Sequence, residues 1–426
     1  MIDVKLILER PEYVKAALKK KLWDFDPEPI IKLSEERVEL LKKVESNKAE
    51  QNRLSASVPA AKKAGKDVKP IFEEVKKLGA ANKADEERLS AIEAEIKSLI
   101  EVLPNLPDDD LEPGGKEDNH PIYHFGEERK FGFAPKNHVE LCESLGLIDY
   151  KRAAKISGTG TWIYTNLGAR LEWALLNYFI ENHLADGYEM MLPPHLLNYD
   201  SGYTAGQFPK FQDEVFWLQG AEPKKFLLPT AETALVNLHR NEILPLSELP
   251  KKYFAYTPCY RKEAGSYRTE ERGMIRGYQF NKVEMVQYTT QEGSDAAFAE
   301  MVEKAKKLVE GLGLTYQVDK LAAGDCSHSM ARTYDIEVWI PSMGIYKEVS
   351  SVSNARDYQA RRGMIRYKDE NGKTKFCHTL NGSGLATSRV FPAIIEQFQQ
   401  EDGSVVIPEV LRKYMGGLEV LRPIKK

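Results

Sequence analysis

The sequence predicts an α+β protein in which a long antiparallel α-helical hairpin precedes a domain built on an antiparallel sheet. Three observations carry this expectation. Two heptad seams between residues 40 and 99 meet at one turn, a stretch rich in proline, glycine and acid follows at 104–121, and residues 254–287 read as one long β-hairpin. The expected domains are a helical one over 1–103, with its coiled coil at about 27–102, a linker over 104–121 and a sheet domain over 122–426.

Residues 1–22 fit a short amphipathic helix, and Asp26 and Pro27 fit the cap and first position of the next. Leu40, Val44, Asn47, Gln51, Leu54 and Val58 then alternate four and three apart. Ile71, Val75, Leu78, Asn82, Asp85, Leu89, Ile92, Ile96 and Leu99 repeat the pattern. A turn over 64–67 folds one helix back on the other, and about 30 residues each at 1.5 Å rise give an arm of roughly 45 Å. Asn47 and Gln51 are expected to face Asn82 and Asp85, fixing register at some cost in stability. The tip and its flanks carry Arg53, Lys62, Lys63, Lys66, Lys69, Lys76 and Lys77, a local basic surface that the net charge of −4 conceals. Taken alone, such a hairpin fits a dimerising or spacing coil better than a nucleic-acid arm.

In the second domain a helix at 169–183 presents Leu171, Leu175, Leu176, Phe179 and Ile180 to a core and leads to a strand ending at Pro193 and Pro194. Thr230 reads as the N-cap of an apolar helix with Glu232 in its first turn. Within 254–287, alternation puts Arg261 and Glu263 on one face of the first strand, and Phe280, Lys282 and Glu284 on one face of the second. The charged loop between them, 263–273, suits a substrate lid. This is a nucleotide-binding set: the arginine grips phosphate bidentately, the phenylalanine stacks a base, and the carboxylates bind amines and hydroxyls. A second strand pair is expected at 334–354, and 379–398 reads as strand, Gly-Ser-Gly turn and helix.

The 42% hydrophobic and 29% charged fractions are those of a globular chain. No apolar run approaches the roughly 20 residues of a membrane span, and MIDVKLILERPEY lacks signal-peptide form, so the cytoplasm is expected. Cys142, Cys259, Cys326 and Cys377 lie far apart with no CxxC spacing, which argues for free thiols and against a disulfide framework or zinc site.

TPCYRKEAGSY and QFNKVEM resemble the second signature motif of class II aminoacyl-tRNA synthetases in its seryl-tRNA synthetase version, and the resemblance extends over almost the whole chain. It implies a class II catalytic domain, a homodimer built on the helix and strand of the first motif, and an arm that grips tRNA. The implied reaction activates serine with ATP to seryl-adenylate, then charges tRNA(Ser) and also tRNA(Sec). The resemblance assigns ATP to Arg261, Lys262, Glu263, Gly277, Phe280, Glu348, Val349, Ser350, Ser351 and Arg389. Arg261 and Arg389 are its catalytic pair, on the α- and γ-phosphates, and Glu348 with Ser351 would hold Mg²⁺. Thr230, Ala231, Glu232, Glu284, Asn381 and Ser383 would hold serine, and Arg53, Lys62, Lys63, Lys66 and Lys69 the tRNA. An unbroken strand sends Glu348 and Ser351 to opposite faces, so a bulge or strand end is expected between them. One segment departs from the family pattern: 324–332 reads GDCSHSMAR instead of small and aromatic residues. The alternatives are a ligase that charges a carrier other than tRNA, a silent RNA-binding paralogue, and a duplicate acting on a serine analogue. The arm argues against the first, and Arg261 with Arg389 against the second.

Overall fold

The computed structural model describes residues 1–263 and 273–424. It divides into two compact units, one of Ile2–Lys19 and Trp23–Leu103, the other of Pro104–Lys426 with Met1 and Lys20–Leu22.

In the helical unit, α1 (Val4–Glu9) and α2 (Pro11–Lys20) replace the single helix expected over 1–22. Pro11 is the reason: it lacks an N–H and disfavours helical geometry at the residue before it. Helices α3 (Glu28–Lys63) and α4 (Lys69–Glu101) form the arm, 36 and 33 residues long and so roughly 50 Å each. Their cross-contacts run in opposite directions along the chain. Arg37 pairs with Glu93 at 2.9 Å, Lys43 with Asp85 at 2.9 Å, and Gln51 Nε2 donates to the Val75 carbonyl at 2.9 Å. Buried Asn82 donates to Gln51 at 3.3 Å, so these two polar seam residues meet as expected, whereas Asp85 is taken by Lys43. Arg53 is tied to Glu50 by bonds of 2.5 and 2.7 Å. Lys62, Lys63, Lys66 and Lys69 are exposed around the turn and form no ion pair among the described residues.

The second unit is organised on one eight-stranded sheet. Its strands are β1 (His120–Phe125), β2 (Glu189–Met191), β3 (Lys251–Tyr260), β4 (Gln279–Thr289), β5 (Tyr316–Lys320), β6 (Arg332–Ile340), β7 (Ile345–Asn354) and β8 (His378–Ala386). They lie in the order β1-β5-β6-β7-β8-β4-β3-β2, antiparallel except between β2 and β3. Helices α5 (Asn166–Ala185), α6 (Ser294–Gly311) and α7 (Thr387–Gln397) share a core with this sheet through Leu175, Phe179, Met301, Phe391 and Ile394. Period-two alternation along β4 sends Val283 and Met285 into that core and turns Phe280, Lys282 and Glu284 to the opposite face.

Four local differences from the sequence reading bear on the site. The segment expected as a linker packs into the second unit. There Asn105 donates to the Ser329 and Ala355 carbonyls at 3.0 and 2.8 Å, Asp108 accepts from Arg332 and Arg356 at 2.7 Å each, and β1 begins at His120. Asp108 and Asp110 are ion-pair partners rather than solvated charge. Gly382-Ser383-Gly384, expected as a turn, lies inside β8; a Cβ on Gly384 would sit 2.1 Å from the His183 ring, so α5 packs too closely for any side chain there. The helix expected from Thr230 is the single turn Glu232–Leu235 with Ala231 as N-cap, though the Thr230 hydroxyl still accepts from the Glu232 N–H at 3.3 Å. Finally, β3 ends at Tyr260, and Glu263 adopts the left-handed region at φ 48°, at a cost on the order of 1 kcal/mol. The strand expected to carry Arg261 and Glu263 therefore stops before them. The bulge expected in β7 is present. Glu348 faces Glu337 and Ser350 faces Ile336, so Val349 is the extra residue and Glu348 and Ser351 come to one side.

Candidate active site

On the polar face of the sheet lies a cavity of about 480 Å³. At one end β4, β8 and the turn after Thr230 bring together Glu232, Glu284, Lys282, Asn381 and Ser383. Glu232 accepts from Gln359 at 2.8 Å, and the Asn381 amide N–H₂ lies 3.3 Å from both Glu232 and Glu284. Lys282 donates to the Thr230 hydroxyl at 2.8 Å and stands 2.5 Å from the Glu284 carboxylate. The amide oxygen of Asn381 and the hydroxyl of Ser383 are buried without a hydrogen-bond partner among the described residues. Unpartnered buried polar atoms are costly and point to a ligand that completes them. Two carboxylates beside an amide oxygen and a hydroxyl match a small molecule with an ammonium group and a hydroxyl.

The other end is set for phosphate. Arg389, one turn into α7, donates to the Glu348 carbonyl at 2.8 Å and carboxylate at 3.2 Å. Arg261 donates to the Pro229 carbonyl at 3.2 Å, and its guanidinium carbon is 5.3 Å from the Phe280 ring centre. Glu263 pairs with Arg276 at 3.3 Å. Gly277 is part of the wall, and a Cβ there would lie 2.2 Å from Trp162. Glu348, Val349 and Ser351 line the cavity with Asp335, which faces Ser351 across the β6/β7 ladder. Enclosure would raise the Glu348 carboxyl, yet Arg389 and Arg261 hold it below its ordinary value. Asp335 is pushed well above its ordinary value by burial and then by the charge of Glu348, and one of its oxygens has no hydrogen-bond partner among the described residues. Two carboxylates and a hydroxyl on one wall, with one carboxylate oxygen unpartnered among the described residues, fit a hard divalent cation such as Mg²⁺. Among the described residues no cluster of three or more His, Cys, Asp and Glu forms a complete metal cage, so such an ion would complete its shell with phosphate and water.

Three expected residues are not on the wall. Ala231 is fully buried in the neighbouring core, Lys262 donates its backbone N–H to the Glu214 carbonyl at 3.0 Å, and Ser350 is fully buried, donating to the Ser383 carbonyl at 2.5 Å. The bulge explains Ser350: the extra residue that turns Ser351 inward turns its neighbour away. Most of the lid expected at 263–273 falls at 264–272, outside the described residues. Three residues that were given no role join the site: Arg276, Asp335 and Lys282. Lys282 shares its alternating face with Phe280 and Glu284, and that was a legible signal; Asp335 enters only through its cross-strand neighbour. The atypical segment 324–332 supplies Asp325, Ser327, His328, Ser329 and Met330 to the wall.

Comparison with known proteins identifies the family. The family model for the seryl-tRNA synthetase N-terminal domain matches residues 1–107, and that for the class II tRNA synthetase core domain (G, H, P, S and T) matches 216–398. Serine--tRNA ligase 2 of Clostridium acetobutylicum is 58% identical over 98% of this chain and 99% of its own. The chain belongs to the seryl-tRNA synthetases. Serine--tRNA ligase of Thermodesulfovibrio yellowstonii is 43% identical over 99% of this chain and the whole of its own. The crystal structure of a seryl-tRNA synthetase from Pyrococcus horikoshii complexed with ATP superposes with a TM-score of 0.94, at 32% identity and full coverage of both chains.

In this synthetase burial, followed by the charge of Glu284, pushes Glu232 up to about 7. The role proposed below for Glu232, receiving an ammonium group, needs that carboxylate ionised. The kcat/KM for serine in pyrophosphate exchange therefore rises with pH to about 7 and flattens above it, and Glu232→Gln removes the rise. A pH profile of the two proteins checks this.

Proposed function

We propose that this seryl-tRNA synthetase condenses L-serine with ATP at the two ends of the cavity and passes the seryl group to the 3′-terminal ribose of tRNA(Ser), and also of tRNA(Sec). One observation carries the reading: paired carboxylates with unsatisfied amide and hydroxyl atoms stand at one end, and two arginines with an oxygen-ligand wall at the other. A carboxylate is already a nucleophile, so the first step needs orientation and charge neutralisation more than proton transfer. Arg261 addresses the α-phosphate and Arg389 the γ-phosphate. Phe280 stacks the adenine and Glu263 accepts from its amino group, exchanging its present ion pair with Arg276 for that contact. Glu348, Ser351 and Asp335 would hold Mg²⁺, which when bound supplies positive charge to the phosphates.

Glu232 takes the serine ammonium, while Glu284, Asn381 and Ser383 take the hydroxyl. A pocket that hydrogen-bonds a substrate hydroxyl rejects the analogue lacking it by about 10⁴-fold, which excludes alanine without editing. Threonine is excluded by its extra methyl group. The cytoplasm is the expected setting, and no described helix is long and apolar enough to cross a membrane. A homodimer through α5 and the strand after it accords with the exposure of Trp173 and Leu192, at 53% and 77%.

The arm is read as the tRNA grip, since Lys62, Lys63, Lys66 and Lys69 stand exposed at its tip while Arg53 is neutralised by Glu50. Pyrophosphate exchange with each amino acid in turn tests the active site. Serine alone supports exchange without tRNA, and deletion of residues 33–99 abolishes charging while leaving exchange. Lys63→Ala leaves exchange intact, weakens charging, and lowers the salt slope of tRNA binding by about one. Exchange with a different amino acid, or with none, overturns the reading.

A further inference from the structure

Three segments distant in the chain meet at one buried carboxylate behind the ATP half of the cavity. Glu172 of α5 is 3% exposed and sits among Leu171, Leu175 and Leu176. Its Oε1 accepts from the Asn281 amide at 2.7 Å and from the Thr387 hydroxyl at 2.6 Å. Asn281 lies between Phe280 and Lys282 on β4, with its side chain on the opposite face of the strand. Thr387 opens α7, two residues before Arg389, and its hydroxyl also stands 3.2 Å from the Asn281 carbonyl. The Tyr256 hydroxyl, 3.3 Å from the Asn281 amide oxygen, holds that amide with its N–H₂ toward Glu172.

We propose that Glu172 is a positioning residue for adenylation: one carboxylate oxygen fixes the strand bearing Phe280 against the helix bearing Arg389. This rests on the roles given above to those two side chains. The sheet does not set the spacing by itself. The β8/β4 ladder breaks after Ser383, where Ser383 faces Glu284 but Ala386 faces Lys282, so the start of α7 is out of register with β4. The Glu172 bridge spans that irregularity. A buried acid met by the neutral donors Asn281 and Thr387, its second oxygen without a hydrogen-bond partner among the described residues, is a poor device for stability alone, since desolvation pushes it up to about 7 with no cation to offset it. What the bridge does secure is the distance between the base-stacking ring and the γ-phosphate arginine.

The test compares full-length wild type, Glu172→Ala, Glu172→Gln and Thr387→Val in serine-dependent pyrophosphate exchange, with unfolding temperatures recorded in parallel. Wild-type exchange checks the underlying reaction separately. Glu172→Ala is expected to lower kcat/KM for ATP on the order of 10²-fold, the effect of misplacing reacting groups by about 1 Å, with KM for serine changed less than about twofold. Glu172→Gln keeps the accepting oxygen and recovers most of the loss. Thr387→Val leaves the carboxylate in place, cuts only the link to α7, and shifts KM for ATP in the same direction if Glu172→Ala fails to fold. Unchanged kinetic constants with a lowered unfolding temperature overturn the proposal, as do equal rises in KM for serine and for ATP or a glutamine variant no better than alanine.

Discussion

Arg389→Ala lowers kcat/KM for ATP in serine-dependent exchange on the order of 10²–10³-fold, the range seen when one preorganised donor is removed from developing charge. The guanidinium is fixed before substrate arrives, through the Glu348 carbonyl at 2.8 Å, the Glu348 carboxylate at 3.2 Å and the Ile275 carbonyl at 3.4 Å. Alanine therefore removes both the proposed phosphate ligand and the leading charge that offsets the enclosure of Glu348. Arg389→Lys restores the charge but not the planar fork, and regains only part of the rate. ATP titrations of the three proteins decide the matter; a lysine variant at wild-type efficiency would show that charge alone suffices at this position.

The second large effect lies at the opposite end. Glu284→Ala lowers kcat/KM for serine by up to about 10⁴-fold, because in the proposed role the hydroxyl loses its acceptor. Glu284 is 1% exposed and ion-paired with Lys282 at 2.5 Å, so the same change strands a buried ammonium and costs about 3–5 kcal/mol of stability. Glu284→Gln separates the two effects. It keeps the shape and an acceptor oxygen for Lys282 but loses the charge, so part of the stability returns while serine efficiency stays well below wild type. Thermal unfolding beside exchange kinetics reads both; an alanine variant with normal serine kinetics removes Glu284 from the hydroxyl pocket.

Much of this was legible because the signals are local. The arm follows from heptads and a turn, and the polar face of β4 follows from simple alternation at Phe280, Lys282 and Glu284. The bulge at Val349 was also readable, since Glu348 and Ser351 share a face only if the count between them changes. What escaped depends on partners remote in sequence. Pro- and acid-rich composition at 104–121 looked like free chain, because nothing local shows that Asp108 meets Arg332 and Arg356. Gly384 looked like a turn residue because its constraint comes from His183, two hundred residues away in the chain. Glu172 left one trace, an acid set among leucines on the buried side of a helix.

The place of β8 in the sheet bears on how the chain is made. This strand, the last of the eight to leave the ribosome, sits between β7 and β4 rather than at an edge. Until residue 386 has been synthesised, the sheet exists as two fragments, β1-β5-β6-β7 and β4-β3-β2, each presenting an unpaired edge where β8 will insert. The helical arm, whose contacts are local, can close long before that. Exposed edges of this kind invite pairing with other chains, so the nascent polypeptide is most prone to aggregation in the interval between β7 and β8. The same late insertion delivers Asn381 and Ser383, so no truncated product ending before β8 carries the proposed serine pocket.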